Sequence, residues 1–151
     1  MGKRLKPPWN YGSNKNKILE QGAIVKKGKG FIKAALVYPN TYKAGMSSLG
    51  FQTVYKIANN INFLACERVF MPDPKQKAQG LKCDLKVKSL ESGLTLNKFD
   101  IILFSISFEN DFIHIVQLLG KAGIPLRSPD RNHTHPLVVA GGVACFLNPE
   151  P

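Results

Sequence analysis

The sequence predicts an α/β fold, an open parallel sheet with flanking helices, and three observations carry that expectation. Near-continuous apolar runs stand at 34–38 (AALVY), 101–106 (IILFSI) and 137–140 (LVVA), the composition of strands covered on both faces. Helical spacing follows the first two runs: Val54, Ile57, Ala58 and Ile61 recur at i, i+3, i+4 and i+7, and Phe112, Ile115, Val116 and Leu119 repeat the pattern. Turn residues punctuate the elements, with Pro39 after the first run and Gly123 and Pro125 after the second helix. Strand and helix in alternation is the grammar of an open α/β sheet.

Taken in order, the chain begins with a basic, flexible leader at 1–30, rich in Pro, Gly and Asn, and continues as one domain over 31–151. Its first strand exits through YPNTYKAGMSSLG, and Ser47 or Ser48 is placed to cap the helix that follows. A further strand is expected at 63–70, closed by MPDP, and SLESGLTLNKFD reads as a turn-rich connection into IILFSI. Asn110 or Asp111 then caps the next helix, which Gly123 ends before LVVA.

A chain of 151 residues with 44% hydrophobic content can bury a core of its own. No apolar run approaches the roughly 18 residues of a membrane span, and no signal-peptide core follows the basic start, so a cytoplasmic location with no membrane partner is expected. The formal charge of +11 is lopsided, since residues 1–33 hold nine Lys or Arg against Glu20. The leader is therefore the element that could touch RNA or an acidic partner, with a solvated tail as its plainer reading. Cys66, Cys83 and Cys145 have neither disulfide nor zinc spacing and are expected reduced and buried. His133 and His135 lack companions that would complete a ligand set, and His114 reads as a half-buried helix residue.

In an open α/β sheet ligands bind beyond the carboxyl ends of the strands, where strand order reverses. That rule singles out the loops after the strands. The first carries Gly45 and Met46 ahead of a helix, the third carries Ser105, Ser107 and Glu109, and the fourth begins with Gly141 and Gly142, where a glycine pair allows close approach to the backbone. Valine at Gly142 is accordingly expected to harm ligand binding more than folding.

Together these loops resemble the cobalamin-binding domain, whose pattern is D-x-H-x-x-G after the first strand, S-x-L after the third and G-G after the fourth. Here the matching residues are Asn40 to Gly45 (N-T-Y-K-A-G), Ser105 to Ser107 (S-I-S) and the pair Gly141 and Gly142. Longer phrases, YPNTYKAGMSSLGFQTVY, CERVFMPD, FDIILFSISFEND, AGIPLRS and HPLVVAGGVACFLNPEP, are similar to the N-terminal region of radical S-adenosylmethionine (SAM) proteins that carry such a domain, over about residues 31–151. The resemblance implies a Rossmann-like or flavodoxin-like fold of the cobalamin-binding type, in a fragment that ends before the usual fifth strand and before the radical SAM barrel. Its cofactor-binding residues would be Asn40, Tyr42, Gly45, Met46, Ser105, Ser107, Glu109, Gly141 and Gly142. Tyr42 stands where the family has its cobalt-ligating histidine and Asn40 where it has aspartate, so the cobalamin expected here has no histidine ligand. S-adenosylmethionine and a 4Fe-4S cluster belong to the downstream domain, the implied partner, and the fragment is not catalytic alone. The alternative is a degenerate domain without cofactor that docks a substrate, RNA or a protein.

Overall fold

A computed structural model describes residues 22–72 and 87–149. Strand β1 (Ile32–Thr41) runs into a short helix α1 (Tyr42–Met46), then α2 (Leu49–Asn60) and β2 (Leu64–Met71). After a connection with a 3-10 turn at Leu96–Lys98 come β3 (Ile101–Ser105), a second 3-10 turn (Glu109–Asp111), α3 (Phe112–Ala122), β4 (Leu137–Gly141) and α4 (Val143–Leu147). The described strands form one parallel sheet in the order β2-β1-β3-β4. The chain thus moves outward from β1 in one direction to β2 and in the other to β3, and the switch point lies between β1 and β3.

Alternation along β1 sorts the core into two layers. Ala34, Leu36 and Tyr38 pack with Phe51 and Tyr55 of α2 on one face, while Ala35 and Val37 pack with Ile102, Phe104 and α3 residues Leu118 and Leu119 on the other. Helix α2 starts at Ser48, whose Oγ accepts from the Phe51 amide at 3.3 Å, one of the two expected caps. Its buried face is not the expected one: Phe51, Tyr55, Ala58 and Asn59 point inward, whereas Val54 and Ile57 are 43% and 59% exposed. The aromatic rings win because they reach the sheet, with Phe51 packed on Tyr38 and Phe70 at ring separations of 5.5 and 5.3 Å.

Asn59 is buried for a second reason. β2 is an edge strand of the described sheet, and its outward backbone groups need partners. The Asn59 side chain bonds both the amide and the carbonyl of Cys66, at 3.2 and 3.0 Å. Two residues on, the Arg68 amide donates to Glu91 Oε2 at 2.7 Å and its carbonyl accepts from the Leu90 amide. At Leu64 the carbonyl takes Lys26 Nζ, so part of the expected leader is tied to the sheet, with Ile24 bonded to the Tyr55 hydroxyl. Residues 1–21, the rest of that leader, and Cys83 lie outside the described residues.

Two other expectations are corrected. LVVA was expected as a strand covered on both faces, but β4 is the opposite edge of the described sheet, and Leu137 and Val139 are exposed. Asp111 stands at the start of α3 without a side-chain capping bond, because its carboxylate is engaged elsewhere. Gly123 ends α3 as expected, at φ +69°. No helix among the described residues is long and apolar enough to cross a membrane.

Candidate functional site

The carboxyl ends of β1, β3 and β4 bring three loops to one edge. In the first, Thr41 caps α1 by accepting from the Ala44 amide at 3.4 Å, and Ser47 closes it by donating to the carbonyls of Lys43 and Ala44. Tyr42 is half-buried with its ring edge-on to Phe70 at 5.2 Å. Gly45 is buried for lack of room, since a Cβ there would lie 2.9 Å from Phe70 Cδ1 and 3.0 Å from Tyr38 Cγ. Met46 turns toward β2, its sulfur accepting from Arg68 Nη1 at 3.6 Å. The first loop is therefore seated on the aromatic layer beneath it.

Asn40 faces the other way. Its Oδ1 accepts from the Thr41 amide at 2.8 Å, and its Nδ2 donates across the switch point to Asp111 Oδ1 at 3.0 Å. Asp111 is only 2% exposed, and its Oδ2 is buried with no partner. Three residues on, His114 Nδ1 lies 2.7 Å from the Pro39 carbonyl and 3.5 Å from Asp111 Oδ1. A carbonyl oxygen only accepts, so Nδ1 carries the proton and donates. These two contacts stitch the first loop to the third. Spacing alone offered one signal for them, the Asp-x-x-His pair at i and i+3 on the first turn of a helix.

The third and fourth loops are more open. Ser105 and Ser107 are half-buried, Glu109 is exposed, and Ser105 pairs in register with Gly141. Nothing lies within 4 Å of a Cβ built on Gly141, whereas one on Gly142 would meet the backbone of Ile106, with its nitrogen and carbonyl carbon each at 2.9 Å. Gly142 also has φ +115°, and the Ile106 amide bonds to the Gly141 carbonyl at 2.8 Å. Its glycine is thus fixed by backbone geometry, so valine there should harm folding first, the reverse of the sequence expectation. Phe108 and Phe146 stand exposed beside this edge, at 64% and 86%.

A family model described as the N-terminal part of radical SAM proteins matches residues 50–151. The chain belongs to that family. Neither comparison with curated proteins nor with solved structures finds a match. Within this radical SAM N-terminal domain, the matched residues hold the third and fourth loops, including Asp111 and His114, while Asn40, Tyr42, Gly45 and Met46 precede them.

Elsewhere in the domain, Arg68 and Glu91 form an ion pair at 2.7 Å, both side chains almost fully buried, and Glu91 also accepts from the Tyr55 hydroxyl at 3.0 Å. The sequence pattern gave no sign of it, since SLESGLTLNKFD reads only as a turn-rich connection. Burial pushes the Glu91 carboxyl above its ordinary value, against the pull of the Arg68 guanidinium. Burial, with Glu91 and Glu67 nearby, also pushes the Cys66 thiol up to about 12, which marks it as an inert core thiol, as expected. Cys145 is half-buried. His133 is exposed, and His135 Nδ1 accepts from the Asn132 amide at 3.2 Å. A cleft of about 360 Å³, lined by Val87, Leu96, Lys98, Leu118, Lys121 and Gly123, lies at the amino end of β3, away from these loops.

Proposed function

We propose that the chain is the accessory domain of a radical SAM protein, holding a corrinoid, or a substrate in its place, across the carboxyl edge of the sheet. A separate barrel carrying a 4Fe-4S cluster and S-adenosylmethionine would face that edge. The observation that supports this most directly is that the loops after β1 and β3 flank the switch point between them, with the β4 loop bonded to the β3 loop at Ile106, in a chain of this family. The residues present fit a flat ligand at the open side of the edge: Gly141 leaves space for close approach, and Ser105 and Ser107 offer hydroxyls beside it. The first loop contributes no metal ligand in this reading, since Tyr42 is packed on Phe70. A bound corrinoid supplies radical or group-transfer chemistry. The chain's own residues orient it, with Asn40 and Asp111 fixing the loops around it.

The exposed Phe108 and Phe146 favour a second reading, in which the same edge docks a partner surface without any cofactor. Titration of the 151-residue chain with hydroxocobalamin and methylcobalamin, followed by calorimetry and absorbance, separates the two. The corrinoid reading predicts saturable binding of at least one form, with a Kd on the order of 10–100 μM. Absence of saturation with both leaves the docking reading in its place.

A further inference from the structure

The cleft of about 360 Å³ at the amino end of β3 belongs to none of the post-strand loops. Its volume lies at the low end of small-ligand sites. Its wall is apolar where the core reaches it, through Leu96 and Leu118, each 1% exposed. Its polar lining consists of donors. Lys98 and Lys121 both stand on the cleft, and neither side chain has an ion-pair or hydrogen-bond partner among the described residues. Asn97 adds an amide, since the Thr95 hydroxyl donates to its Oδ1 at 2.7 Å and leaves Nδ2 with protons to give. No Asp or Glu among the described residues lines the cleft. Nor is Lys121 needed to close α3, because the carbonyls of Leu119 and Gly120 accept from the Ile124 and Gly123 amides at 3.0 and 3.1 Å.

Two cations and a neutral donor beside an apolar wall complement an anion that carries a small apolar body. A phosphate monoester bears close to two negative charges at neutral pH and several acceptor oxygens, which matches this lining better than a carboxylate does. We infer that the cleft binds a phosphate monoester, with the phosphate on Lys98, Lys121 and Asn97 and the apolar body against Leu96 and Leu118. The cleft lies away from the carboxyl edge, so the inference does not rest on the corrinoid reading.

Amide NMR of the full nitrogen-15-labelled chain, titrated with phenyl phosphate, tests it. Saturable shifts are expected at Val87, 95–98 and 118–123, with a Kd on the order of 0.1–1 mM. Benzoate, with the ring but one charge, and inorganic phosphate, with the charge but no ring, should each bind at least about fivefold more weakly. Lys98→Met and Lys121→Met keep the aliphatic stems, and each should weaken phenyl phosphate about three- to tenfold with the amide spectrum away from the cleft unchanged. Lys56→Met, at an exposed position on α2, should leave binding as it was. Absence of saturation with phenyl phosphate overturns the inference. Benzoate or inorganic phosphate binding as tightly as phenyl phosphate, or an equal loss on Lys56→Met, overturns it as well.

Discussion

Gly141 and Gly142 are adjacent, yet a side chain would meet open space at one and a backbone at the other. Gly142→Val should therefore lower stability by more than about 2 kcal/mol in urea denaturation, through strain at positive φ and collision with Ile106. Gly141→Val should stay within about 1 kcal/mol of the parent and lose corrinoid binding. Equal destabilisation by the two would contradict this division of roles. The glycine pair was legible in sequence as a feature of the fourth loop, but which member needs its glycine depends on a φ angle and a neighbouring strand, neither of which spacing encodes. The same holds for Asp111, readable as a helix cap until Asn40, 71 positions away, is seen to take its carboxylate. Cys66 was legible, because a small apolar residue amid a strand run has few places to go but inward.

At the scale of elements, α2 shows how a correct helix can be given the wrong face. Its sequence carries two apolar stripes, Val54, Ile57 and Ile61 on one side and Phe51, Tyr55 and Ala58 on another, and periodicity weighs them alike. The sheet decides between them, since only the aromatic stripe fills the space above Tyr38 and Phe70 and brings Asn59 to the open edge of β2. Phe51→Ala should cost about 3–5 kcal/mol by opening a cavity in that layer, and Ile57→Ala less than about 1 kcal/mol. Denaturation midpoints of the two variants check the assignment, and a larger loss at Ile57 would restore the periodic face. The edge of β2 was illegible for a related reason: Lys26, Asn59, Leu90 and Glu91 reach it from separate segments, and each alone looks like a surface or turn residue.

Across the described residues, the alternation of apolar runs and helical spacing carried the parallel α/β architecture, because the runs at β1 and β3 occupy its two central strands. Strand order was not in the pattern. It follows from crossovers on either side of β1, and it is what sets Asn40 against Asp111, and the Pro39 carbonyl against His114, at the switch point. Two places among the described residues are compared as ligand sites: the proposed carboxyl edge, and the cleft at the amino end of β3. Amide NMR of the nitrogen-15-labelled chain, titrated with hydroxocobalamin, decides between them. Binding across the edge predicts shifts concentrated at 40–46, 105–111 and 141–142. Shifts concentrated at Val87, Lys98, Lys121 and Gly123, with the edge unmoved, would contradict it.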